Sequence, residues 1–151
     1  MEVITMMDLL IMFAMFIASA GVIVSLVLLL RNQPPEGRRI STRNFIILII
    51  VYATVMSGFA VIYMGLELLG QSVLVEGETL EFTSLGHLIE DVMYFSAVTM
   101  LTVGYGDITP QGIGRWVAMV QALIGYLLPV AFVVTTVIYS EERKLPKTER
   151  L

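Results

Sequence analysis

Apolar positions in this chain run in long blocks separated by short polar interludes, without the alternation of a strand or the one-sided stripe of a surface helix. Three blocks, at residues 6–30, 45–69 and 117–139, each exceed the roughly 20 residues a helix needs to cross a hydrocarbon core of about 30 Å, at about 1.5 Å per residue. The first reads as a spanning helix and not as a secretory leader. Its head carries Glu2 and Asp8 instead of basic residues, its apolar run is too long, and no small-residue cleavage site follows. A fourth stretch, 88–101, is interrupted by Glu90 and Asp91. As a helix it covers about 20 Å, too short to cross, so it must be re-entrant or interfacial. Irregular backbone that follows it at membrane depth must be buried in protein or line a cavity. The predicted fold is therefore an all-α integral membrane protein with three transmembrane helices and a re-entrant helix.

Composition agrees with that pattern. Of 151 residues, 57% are hydrophobic and 15% charged, and the mean hydropathy is +0.86. The absence of cysteine excludes disulfides, thiolate metal sites and cysteine nucleophiles, and His87, the single histidine, cannot form a histidine cluster. A formal charge of −4 argues against nucleic acid as a partner. Charge also predicts orientation. Of nine basic residues, Arg31, Arg38, Arg39 and Arg43 lie in the loop after the first block, and Arg143, Lys144, Lys147 and Arg150 lie in the tail. The positive-inside rule puts that loop and the tail in the cytoplasm, with the N-terminus and residues 70–115 outside. The outer side collects Glu76, Glu78, Glu81, Glu90, Asp91 and Asp107.

The chemistry lies in residues 99–107, T-M-L-T-V-G-Y-G-D. Thr102-Val103-Gly104-Tyr105-Gly106 is the sequence of potassium-selective filters, in which backbone carbonyls replace the hydration shell of the ion. Aiming successive carbonyls one way requires ordinary and left-handed conformations in alternation, which glycine adopts without a Cβ penalty. Gly104 and Gly106 stand at alternate places, and Thr102 adds a hydroxyl as the innermost oxygen ring. Val103 and Tyr105 are expected to point away from the ion and pack behind the filter. K+ would then bind at Thr102, Val103, Gly104 and Tyr105, with no further cofactor. One strand supplies one carbonyl per layer, so a cage implies about four chains around one axis. The re-entrant helix would direct its negative dipole end at the membrane centre, and the acidic outer segment would concentrate cations.

The stretch 88–139 resembles the pore module of tetrameric potassium channels, above all prokaryotic channels with two pore helices per subunit. The matching pieces are Tyr94-Phe95-Ser96, Thr99, residues 102–107, Pro110, Gly114-Arg115 and Gly125; with 45–69 as outer helix, the likeness covers about two thirds of the chain. The resemblance implies an inverted-teepee homotetramer in the lipid bilayer. It divides the chain into an extra helix and basic loop (1–43), a pore domain (44–140) and a cytoplasmic tail (141–151). Within the pore domain fall the outer helix 45–69, pore helix 88–101, filter 102–107 and inner helix 115–140. It also makes Asp107 the acidic residue outside the filter and Tyr94 its aromatic partner, where many relatives carry tryptophan. Val98, where some relatives place glutamate, and Thr99 take filter-supporting positions. Leu101 replaces a common threonine. Gly125 matches the inner-helix hinge, and Pro129 independently predicts a kink because it lacks a donor and clashes with the preceding turn.

Other features carry less. Small residues Ala14, Ala18, Gly21 and Ser25 in the first helix and Ala53, Ser57 and Ala60 in the second predict a close helix–helix seam. Val133, Val134 and Val137 are expected to form an apolar gate below the kink. The loop arginines sit in a polar loop containing Pro34, Pro35 and Gly37 and not at intervals in a spanning helix, so they are not a voltage sensor. His87 is placed just before the re-entrant helix and Trp116 at an interfacial anchor position. Glu90 and Asp91 are adjacent on a helix and so do not face each other as an acid–base pair, and no nucleophile–base constellation is visible. Two alternatives stand beside a complete small potassium channel: the pore portion of a larger channel with a cytoplasmic regulatory domain missing here, and a non-conducting scaffold subunit.

Overall fold

A computed structural model describes residues 2–31, 42–77 and 84–141. Its elements are helix α1 (Glu2–Arg31), helix α2 (Thr42–Leu68), strand β1 (Leu74–Glu76), helix α3 (Leu85–Met100), strand β2 (Ile108–Pro110) and helix α4 (Gly114–Glu141). Three helices are long and apolar enough to cross a membrane, through Met6–Leu28, Phe45–Leu68 and Gly114–Val133. The fold is thus a mostly helical membrane architecture. The large apolar side chains of α1 are exposed almost all round, Phe13 and Phe16 among them. Such a surface suits hydrocarbon as the solvent.

Helix α3 starts one turn before the sequence reading placed it. Ser84 is the N-cap, with extended backbone and its Oγ accepting from the His87 amide at 3.4 Å. A serine before an apolar run satisfies one of the orphan amides of a first turn. His87 accordingly lies inside that turn, not ahead of it.

Antiparallel α1 and α2 meet along a seam that differs from the predicted one. A Cβ at Gly58 would fall 2.5 Å from Val22 Cγ2, and one at Gly65 would fall 2.5 Å from Met15 Cγ and Sδ. Larger residues of α1 therefore sit on glycines of α2. Of the predicted stripe, Ala18 borders Gly58 through its carbonyl, Ala60 is buried, and Ser25 is half-buried. Ala14, Gly21, Ala53 and Ser57 are exposed on other faces. Small residues permit close approach but do not select which face is used; the shapes of Met15 and Val22 decide that here.

The core lies where α2, α3 and α4 converge. Val55, Phe59 and Tyr63 of α2 meet Leu88, Val92, Phe95 and Met100 of α3, with Ala118 and Leu128 of α4. The Tyr63 and Phe95 rings pack edge to face, 5.1 Å between centroids, a favoured aromatic arrangement. Helix α2 ends in a Schellman turn on left-handed Gly70, whose amide bonds Glu67 O while the Gln71 amide bonds Leu66 O. The chain then runs into β1, which pairs antiparallel with β2 in the register Leu74–Pro110, Val75–Thr109 and Glu76–Ile108. This ribbon was not predicted. Three-residue strands are too short to leave a periodic signature.

Candidate pore site

The residues from Thr102 to Asp107 leave the C-terminal end of α3 and enter β2 directly, so the two elements hold the segment at both ends. At the α3 end the Thr102 amide bonds Thr99 O at 3.1 Å and the Val103 amide bonds Val98 O at 2.8 Å. With Leu101 as C-cap this is again a Schellman turn. The Gly104 amide adds a second bond to Val98 O at 3.3 Å. Val98 thus acts through its carbonyl, tethering two successive amides.

The left-handed position of that turn is occupied by Thr102, at φ 58°. A β-branched residue there costs about 1–3 kcal/mol and persists only when its surroundings over-determine it. Gly104 (φ 56°) and Gly106 (φ 83°) follow, so positions 102, 104 and 106 are all left-handed and alternate with ordinary residues. The sequence anticipated the glycines but gave no signal for Thr102. No atom lies within 4 Å of a Cβ built at Gly104 or Gly106. Backbone conformation, not crowding inside one chain, is what requires glycine there.

At the β2 end the Tyr94 hydroxyl donates to Asp107 Oδ2 at 2.5 Å, and the Ile108 amide donates to Oδ1 at 2.9 Å. The Tyr94 bond holds the Asp107 carboxyl below the usual carboxylate range, and the same bond pushes the Tyr94 hydroxyl up to about 12. The Tyr105 ring stacks on Tyr94, nearly parallel, with centroids 6.5 Å apart. Tyr105 and Val103 are otherwise open, 72% and 50% exposed. Within one chain, Tyr94 of α3 is the ring on which Tyr105 packs. An open cleft of about 630 Å³ lies between the segment and α4, with Val98, Thr102, Gly104, Ala118 and Ala122 among its walls.

Two supports were not visible in the sequence. Glu67, buried near the end of α2, accepts the Val73 and Leu74 amides on Oε1 at 2.8 Å each, fixing the entry to β1. β1 in turn braces β2, and the Gln111 amide bonds Val73 O at 2.7 Å. Behind α3, the fully buried Gln121 of α4 donates to Ser96 O at 2.9 Å and Ser96 Oγ at 2.7 Å, and accepts from Tyr63 at 2.9 Å. Ser96 Oγ donates to Met56 O at 2.7 Å. Buried polar groups demand partners, so their presence in apolar helices is the signal that could have found them. Only the fold pairs them.

Gly125 is buried with its Cα against the Met100 carbonyl, where a Cβ would collide with that oxygen. It therefore marks close contact between α3 and α4. Pro129 and Val133 lie further along α4 and are exposed. Val134 and Val137 are helical positions whose side chains lie outside the described residues. Their gating role rests on the sequence alone. Among the described residues no group of three or more His, Cys, Asp or Glu is placed to hold a metal ion.

Comparison with known proteins gives a consistent result. A family model described as an ion channel matches residues 44–142. The chain is 41% identical over 105 residues to Protein LctB of Geobacillus stearothermophilus, covering 70% of this chain and 78% of that protein. It is also 41% identical over 99 residues to Protein LctB of Bacillus caldotenax, covering 66% and 74% respectively. No solved structure matches.

Proposed function

This chain belongs to the ion channel family, and from that premise we propose that it forms a potassium-selective pore as a homotetramer. The observation that carries the reading is the alternation of left-handed backbone at Thr102, Gly104 and Gly106 within the sequence T-V-G-Y-G. Four such segments around an axis present rings of carbonyls, with the Thr102 hydroxyl at the inner end, and K+ exchanges its water for them at little net cost. The anchoring of the segment at Val98 and Asp107 limits its width, and the Tyr94–Tyr105 stack stiffens the outer half. Exposed Val103 and Tyr105 and the cleft beside α4 suit contact with neighbouring chains. Such contact completes surroundings that one chain supplies only in part. The segment faces outward, with the basic loop and tail in the cytoplasm.

The test is flux. The purified protein in K+-loaded liposomes should release K+ far faster than Na+, with block by Ba2+, and Gly104→Ala should abolish the flux because alanine is strained at φ 56°. Equal Na+ and K+ permeation would refute potassium selectivity, and a monomeric protein in mild detergent and in bilayers would refute the tetrameric pore.

A further inference from the structure

Pro129 lies inside α4 and has no amide hydrogen. The residue four positions earlier, Gly125, thereby loses the donor that an α-helix ordinarily gives its carbonyl. That carbonyl is not left bare. The hydroxyl of Tyr52, on α2, donates to Gly125 O at 2.8 Å. The same glycine is buried, and its Cα abuts the carbonyl of Met100 at the end of α3. Three helices therefore meet at one residue of α4, one turn ahead of the proline.

We propose that Tyr52 is the positioning residue of α4 at Pro129. Its hydroxyl replaces the amide that Pro129 lacks and so fixes how α4 leans against α2 and the end of α3. In a bilayer no water is at hand to satisfy a freed carbonyl, and proline is tolerated in spanning helices where a neighbour does so. The bond also constrains motion. α4 cannot turn or bend about Pro129 without straining the bond from Tyr52 to Gly125 O or supplying another donor. The carbonyl bonded by Tyr52 is one helical turn from the proline, whereas the core face of α2 there is made by Val51 and Val55. Phenylalanine would preserve the ring packing of Tyr52 but not this bond.

The experiment is a cycle of Tyr52→Phe and Pro129→Ala, each alone and combined, in the full chain reconstituted in lipid. Pro129→Ala restores an amide for Gly125 O, so the hydroxyl should become redundant in that background. Labelling carbonyl carbons of glycine with 13C and amides of tyrosine with 15N selects two carbonyls by solid-state NMR, since Gly-Tyr occurs at 104–105 and 125–126. Tyr52→Phe should move the Gly125 carbonyl signal while Gly104 stays in place, and should lower the melting temperature by about 2–4 °C. In the Pro129→Ala background Tyr52→Phe should move neither the signal nor the melting temperature. An unmoved Gly125 signal in the single variant, or equal effects of Tyr52→Phe in both backgrounds, would overturn the proposal. These readouts do not depend on conduction, so they remain decisive if the potassium reading fails.

Discussion

Replacing Gln121 by methionine tests whether the polar cluster behind α3 holds the pore segment in place. Methionine is unbranched and keeps nearly the same volume, so packing is largely preserved while three hydrogen bonds disappear: two to Ser96 and one from Tyr63. Interhelical bonds in bilayers average about 0.6 kcal/mol, with a ceiling near 1.7. Three therefore amount to about 2–5 kcal/mol, the upper end applying if Tyr63 and Ser96 find no substitute partners. The assay is thermal unfolding of the protein in lipid nanodiscs, for Tyr63→Phe, Gln121→Met and the double variant. Tyr63 has Gln121 as acceptor inside a buried site, so Tyr63→Phe should cost about 0.6–1.7 kcal/mol alone and close to nothing beside Gln121→Met. Strictly additive effects would show that the hydroxyl and amide do not act as a unit. On the proposed function, K+ efflux should fall along with stability, because Ser96 fixes the helix from which the pore segment departs.

Glu67→Met keeps much of the side chain's volume but removes the acceptor of two amides, and should destabilise the β1–β2 ribbon by about 1–3 kcal/mol, read as faster amide exchange at Val73 and Leu74. Unchanged exchange there would refute the bracing role. In the Tyr94–Asp107 pair, the lowered Asp107 carboxyl contributes stability that is present above its unfolded value of about 3.9 and lost as pH falls through its lower folded value. The raised Tyr94 hydroxyl contributes stability that is present below about 10 and lost as pH rises through about 12. A stability profile of wild type against Tyr94→Phe should therefore converge at both extremes and differ between them; parallel profiles would exclude the bond as the cause. Gly58→Leu should separate α1 from α2, seen as a fall in cysteine cross-linking between Met15→Cys and Gly65→Cys, while Gly21→Leu, with no atom near its Cβ, should leave it intact.

Much of the architecture was legible because a bilayer constrains sequence severely. Spanning segments have to be long and apolar, and 88–101 was recognisable as a helix that cannot cross. The glycines at 104 and 106 were likewise readable from the conformations that their positions demand. The extra turn of α3 ahead of residue 88 hinged on a serine cap, and the two short strands were below the reach of any periodicity. The seam of α1 was misplaced because small residues are common in such helices and do not by themselves identify a contact face. Gly125 appeared as a hinge. Its collision distance to the Met100 carbonyl depends on how α3 and α4 cross, which no local pattern encodes.

The sequence on its own determined the membrane class, the order of helices and the run from Thr102 to Asp107, since each is dictated by local physics: segment length against bilayer thickness, and backbone freedom against a required φ. Tertiary structure alone decided which groups complete one another. Thr102 is held left-handed by carbonyls of α3, Gln121 meets Tyr63 and Ser96, Glu67 captures the start of β1, and Tyr52 supplies the donor missing at Pro129. These partners stand up to 73 positions apart. A hydrogen bond depends on a few ångströms of separation in space, and separation along the chain carries no record of it.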